Sequence, residues 1–217
     1  YEYDPELETR VVFEDGKFIQ VPPFARPRKV KLPKPYGETV QYIIPHSETV
    51  TLAEALADKG VRLIEVRGTW PQQNMTLVRG LYDYGILKNP EGMVGDRPAK
   101  LMDIIGDYLV NSPEGKTTKL YGYSLHIEVI GTKDGKKKQG IIYHTHPASD
   151  GSVESWEGLR AYTRNVGIPL AIAAELLAKG CAPRPGILIP EYAFQPEVIF
   201  RELEKRQIYM HEEWTDL

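Results

Sequence analysis

A single cysteine, the lack of any long apolar run and the lack of a glycine-rich nucleotide turn set the first bounds on this 217-residue chain. With Cys181 alone, no disulfide can form within the chain, and the composition fits a reducing, cytoplasmic setting. Cys181 lies beside Pro183 and Pro185 with no activating neighbour in sequence, so it is read as an ordinary thiol and not as a nucleophile. No apolar stretch approaches the ~20 residues that a helical membrane span needs, and no membrane partner is expected. The opening Tyr1-Glu2-Tyr3-Asp4-Pro5-Glu6 is acidic and has neither the basic nor the apolar region of a signal peptide. A net charge of -3 provides no field for nucleic acid. The longest basic run, Lys136-Lys137-Lys138, follows Asp134-Gly135 and reads as a solvated hairpin turn. Nowhere does a Gly-x-Gly-x-x-Gly turn join a strand to a helix. No residue here is therefore expected to bind a dinucleotide, whose pyrophosphate needs such a turn and the helix N-terminus behind it.

What is present is an ordinary globular composition, 41% hydrophobic and 26% charged. A chain of this length buries roughly 70% of its extended surface, so a single domain over residues 1–217 is expected. Asp15-Gly16 marks a hairpin turn within 10–22. Five prolines between 22 and 37 impose an extended connector. A strand over 38–44, a helix over 52–59 ended by Gly60, a strand over 61–67 and a helix over 74–84 follow. A further helix covers 101–109. Residues 120–131 and 139–146 form the clearest strands, an antiparallel pair turned at Asp134-Gly135. Helices over 163–179 and 197–206 complete the pattern. Strands and helices mix without a βαβ rhythm, which predicts an α+β fold: a mixed, mostly antiparallel sheet with helices packed on one face.

Two groups of residues carry chemistry. In Pro45-His46-Ser47-Glu48-Thr49, an imidazole and a carboxylate two residues apart can orient one another, or bind an ammonium and a carboxylate. The plainer alternative has His46 capping a turn and Glu48 opening a helix, where the dipole favours an acid. The second group is His144 and His146, which share one strand face. His126 on the partner strand is close enough in register to suggest a three-imidazole zinc site. Two histidines leading into the Pro147 loop are the plainer account, and no metal ligand is assigned.

Several short segments, in fixed order, resemble one enzyme family. They are Phe13-Glu14-Asp15-Gly16-Lys17, Pro35-Tyr36-Gly37, Pro45 to Leu52, Gly131 to Lys136, Val166-Gly167-Ile168-Pro169 opening an Ala-rich helix, and Gly186 to Glu191. From about residue 11 to 210 the chain resembles the C-terminal, substrate-binding half of the saccharopine dehydrogenase-like oxidoreductases. The resemblance implies a glyceraldehyde-3-phosphate-dehydrogenase-like C-terminal domain. It also implies an N-terminal Rossmann half that carries NAD or NADP, against which residues 187–217 are expected to pack. A homodimer, and an amino-acid substrate that is lysine-derived or saccharopine-like and reacts at a C–N bond, are implied as well. This half alone is expected to be inactive. Substrate binding falls to His46 and Glu48, to the strand-end Arg67, and to Arg160, Thr163 and Arg164 around the start of the Ala-rich helix. Arginine suits a substrate carboxylate because its planar fork binds one bidentately. No catalytic acid or base is identified. Gly68-Thr69-Trp70-Pro71, Trp156-Glu157-Gly158 and Tyr162 depart from the family pattern and bear on substrate identity. Two other classes stay open: a stand-alone ligand-binding or regulatory protein, and a metal enzyme built on His126, His144 and His146.

Overall fold

Glycine-assisted turns set the strand pairings of this chain. The computed structural model describes residues 9–88, 91–111, 121–149 and 161–217. The chain divides into two compact units, one of Tyr1–Val30 with Thr39–Thr117 and one of Lys31–Glu38 with Thr118–Leu217.

In the first unit, β1 (Arg10–Glu14) and β2 (Lys17–Val21) pair antiparallel across Asp15-Gly16. Both turn residues have positive φ, 45° and 82°, as the two-residue hairpin predicted there requires. β3 (Arg28–Lys31) falls inside the proline-rich connector. It joins β4 (Glu38–Ile43) in a sheet completed by β6 (Arg67–Gly68), while β5 (Leu63–Ile64) pairs with β1. Val12, Val21 and Ile43 form the core, with Ala25 against them. α1 (Glu48–Ala55) starts four residues before the predicted helix. The helix is extended because Ser47 sits at its N-cap position and Glu48, an acid, is favoured in the first turn. A short 3₁₀ turn then runs to Lys59 and stops at left-handed Gly60. α2 (Gln72–Asp83) begins directly after Pro71. The hairpin β7 (Glu91–Val94) and β8 (Arg97–Lys100) leads into α3 (Leu101–Asn111).

In the second unit, β9 (Tyr121–Lys133) and β10 (Lys136–Ser149) form a long hairpin turned at Asp134-Gly135, and β11 (His211–Asp216) pairs with the far edge of β10. α4 (Ala161–Ala178) begins well before Pro169 and carries it in its interior. Proline there removes the N–H that Asn165 would otherwise accept from. The helix ends in a Schellman arrangement: Gly180 N–H reaches Leu177 O at 2.9 Å and Cys181 N–H reaches Leu176 O at 3.0 Å. α5 (Pro190–Ala193) and α6 (Pro196–Glu204) each open on a proline. Ile172, Leu176, Leu203 and Ile208 form this unit's core, packed by Ile168, Phe194, Val198 and Ile199.

The class is α+β with antiparallel pairing, as the sequence predicts. Among the described residues the strands form three sheets of three strands and one of two. Replacing Ile172, 1% exposed at the centre of the second core, tests the packing. Ile172→Ala is expected to lower the unfolding free energy by about 2–5 kcal/mol in urea titrations. A loss under about 0.5 kcal/mol, typical of a surface site, would contradict this core.

Candidate functional site

The residues that the sequence singles out divide between the two units. In the first, the chain leaves β4 through Pro45 and enters α1, which places His46 just ahead of the helix and Glu48 in its first turn. His46 Nδ1 lies 2.7 Å from Glu48 Oε2, so the two side chains do orient one another. In the neutral ring Nδ1–H donates to the carboxylate, leaving Nε2 as the acceptor nitrogen. Both groups are partly exposed and open to a ligand. Next to them Thr49 is 1% exposed, and its hydroxyl has no hydrogen-bond partner among the described residues.

Arg67 is differently occupied. Its Nε and Nη2 donate to Glu65 Oε2 at 3.1 and 2.7 Å, and Nη1 donates to Arg26 O at 2.5 Å. Arg26 in turn bridges Glu65 at 3.1 Å and Glu14 at 2.9 Å. The Arg67 fork therefore ties the β6 end to the connector, and a substrate carboxylate would have to displace Glu65.

In the second unit, α4 carries Arg164 into the protein at 3% exposure, where Nη2 donates to Arg206 O at 2.9 Å. Thr163 beside it is exposed, and Arg160 lies outside the described residues, as do Trp156, Glu157 and Gly158. His144, His146 and Tyr123 belong to the same buried cluster. His144 Nδ1 is 2.9 Å from Tyr209 O, so it must donate; its Nε2 then accepts from Tyr123 Oη at 3.1 Å. His146 Nδ1 donates to Pro147 O at 2.8 Å, and Tyr123 stacks on the His146 ring with centroids 5.4 Å apart. Tyr36 donates to His146 O at 2.5 Å, and the bare backbone of Gly122 leaves room for its hydroxyl. Burial lowers both imidazoles below their ordinary value, and Arg164 adds to the effect. Burial likewise raises the Tyr123 phenol. The cluster thus holds neutral imidazoles and a neutral phenol around one cation.

The register overturns the three-imidazole reading. His126 opposes Tyr143, whereas His144 opposes Leu125 and His146 opposes Tyr123. Directly opposed residues share a face, so His126 lies on the other face from the pair. No group of three metal-ligating side chains occurs among the described residues. Tyr36 was read in the sequence only as part of Pro35-Tyr36-Gly37 and Tyr123 not at all; the strand alternation that pairs Tyr123 with His146 is the signal that could have found the latter.

The buried histidines make a pH prediction. A base with a lowered folded-state pKa binds fewer protons folded than unfolded, so acid favours unfolding. That stability is complete above the ordinary histidine value of 6.5 and is lost as pH falls below it. Urea midpoints are expected to drop between about pH 6.5 and pH 5, and the His144→Gln/His146→Gln variant should flatten the profile there. An unchanged slope in the variant would remove the buried pair as its cause. Glu202, held at about 2 by Lys205 and Arg206, acts only below its ordinary 4.5 and leaves this window clear.

Comparison with known proteins follows the same lines. The chain superposes on the apo histidine-tagged saccharopine dehydrogenase (L-Glu forming) from Saccharomyces cerevisiae with a TM-score of 0.62 at 17% identity. The match covers 98% of this chain and 60% of that one, and at this identity it is a likeness of fold. No curated protein matches the sequence. The family model described as the saccharopine dehydrogenase C-terminal domain matches residues 7–208, and the chain belongs to that family.

Proposed function

We propose that this chain is the substrate-binding part of an NAD(P)-dependent oxidoreductase that acts at a C–N bond of a lysine- or saccharopine-like amino acid. The observation that carries the reading is the family match across residues 7–208. Support comes from the fold shared with the yeast enzyme named saccharopine dehydrogenase (L-Glu forming), 60% of which the match covers. A lone thiol that is exposed and free fits the reducing cytoplasm proposed for it. No helix of the described residues is long and apolar enough to cross a membrane.

The nucleotide needs a home elsewhere. Ahead of α1 the strand-to-helix junction reads Ile44-Pro45-His46-Ser47, and ahead of α2 it reads Thr69-Trp70-Pro71. Neither offers the glycines that let backbone approach a pyrophosphate. The dinucleotide is therefore assigned to a separate Rossmann half, and this chain alone is expected to be inactive. When bound there, the nicotinamide supplies the hydride chemistry.

This chain's own residues bind and orient. The Glu48 carboxylate and the acceptor Nε2 of His46, fixed by their 2.7 Å contact, suit a substrate ammonium. Arg160, Thr163 and Arg164 are assigned to the substrate by the resemblance alone; Arg164 is 3% exposed with Nη2 donating to Arg206 O, and the Arg67 fork is filled by Glu65.

The test uses the full-length protein, with nicotinamide absorbance followed across lysine, saccharopine and related amino acids. Glu48→Gln is expected to raise KM about tenfold, equivalent to about 1.4 kcal/mol, with kcat little changed, as loss of uniform binding requires. Absence of nicotinamide turnover with every amino acid would sink the proposal. Unaltered KM in Glu48→Gln would remove Glu48 from the site.

A further inference from the structure

The loop that follows α4 is stiff and contains no acidic side chain. From Cys181 to Ile189 it reads Cys-Ala-Pro-Arg-Pro-Gly-Ile-Leu-Ile. Pro183 and Pro185 fix their own φ, and Pro190 opens α5, so the loop cannot continue the helix. The Schellman bonds of Gly180 and Cys181 tie its start to α4. Between this loop, α4, α5 and α6 lies an apolar groove of about 910 Å³, a volume ordinary for small-molecule sites.

α4 lines the groove with Leu170, Ala173 and Leu177, whose spacing of i, i+3 and i+7 puts them on one face. Leu188, Phe194 and Ile199 line it from the loop, the end of α5 and α6. Leu170 is 70% exposed and Leu177 55%, so described side chains of the unit do not fill the space. Arg184 is the one charged residue among the described lining. Its guanidinium folds back beside Gly186, with Nη1 3.8 Å from the position a Cβ would take there. It makes no hydrogen bond or ion pair with any described residue. The other described arginines of this unit are committed. Arg164 donates to Arg206 O, Arg206 pairs with Glu175 and Glu202, and Arg201 donates to Glu197 O.

We propose that this groove binds a soluble medium-chain carboxylate, its tail along α4 and its carboxylate on the Arg184 fork. Charge and shape select that ligand. One uncommitted guanidinium beside an apolar trough matches one carboxylate on one apolar tail, held bidentately. An anionic membrane selects a cluster of cations, which this lining lacks. The α4 wall from Pro169 to Gly180 runs about 16 Å, enough for an extended tail of about ten carbons. The proline-set loop keeps the groove formed in advance, so little ordering is lost on binding. None of His46, Glu48, Arg67, Arg160, Thr163 and Arg164 lines it, so it is a second site beyond the proposed reaction.

Titration calorimetry of the full-length protein at two temperatures, with hexanoate, octanoate and decanoate, tests the assignment. Decanoate should bind below about 1 mM, and each added methylene should tighten binding about fourfold. Arg184→Gln should weaken decanoate about fivefold or more while keeping the dependence on chain length. Leu177→Asp, which sets a carboxylate in the groove, should abolish binding at about 1 mM, whereas Arg201→Gln leaves it unchanged. Circular dichroism of each variant checks the fold, and Leu170→Asp carries the test if Leu177→Asp does not fold. Absence of decanoate binding at about 1 mM, as when another part of the polypeptide covers the groove, would overturn the proposal. So would Arg184→Gln binding decanoate as tightly as the parent, or an affinity independent of chain length. Binding is read without nicotinamide or amino acid, so the outcome is independent of the proposed reaction.

Discussion

The antiparallel register of the β9–β10 hairpin is the constraint on which the second unit depends. Asp134 and Gly135, both at positive φ, fix the turn, and the register then runs unbroken from Lys136–Lys133 to His146–Tyr123. Because side chains alternate with a period of two, a slip of one residue would move every one of them to the other face. This register puts Tyr123 against both buried imidazoles, sends His126 away from them, and lines up Leu125, Ile127 and Val129 as one apolar stripe. The buried cluster, the exclusion of a three-histidine site and the apolar stripe are three consequences of one pairing.

Electrostatics sort the candidate residues by what already occupies them. Arg67 and Glu65 lie in a chain of four charges with Arg26 and Glu14, and removing one partner would leave another partly buried charge uncompensated. That arrangement is architectural. Arg164 sits beside His144 and His146, whose basicity is lowered first by burial and further by the Arg164 cation. His46 and Glu48 are a third case: exposed, mutually fixed and flanked by a buried hydroxyl without a partner among the described residues. Of the residues in the first unit, they are the pair best disposed to meet a ligand.

Much of this was legible in the sequence, for identifiable reasons. Asp15-Gly16 and Asp134-Gly135 announce their hairpins because few residues tolerate the left-handed backbone such turns need. Gly60 and Gly180 mark helix ends for the same reason. The His46–Glu48 contact could be anticipated because a spacing of two brings the side chains together where a loop meets a helix. What escaped detection depends on tertiary context. β11, with the charged sequence His211 to Asp216, looks like a solvated tail until the edge of β10 pairs with it. The β7–β8 hairpin contains Pro98, which argues against a strand unless the strand is short and at an edge. The occupation of Arg67 was only partly visible: Glu65 lies two residues away, but Arg26, whose carbonyl also accepts from the fork, is distant in sequence.

The register itself is open to direct observation. Nuclear Overhauser contacts in protein labelled selectively at histidine and tyrosine report which rings share a face. The account predicts contacts from the Tyr123 ring to His144 and His146, whose centroids lie 5.5 and 5.4 Å away, and none to His126. A His126 contact with either His144 or His146, or Tyr123 without contact to the pair, would contradict the register and everything built on it.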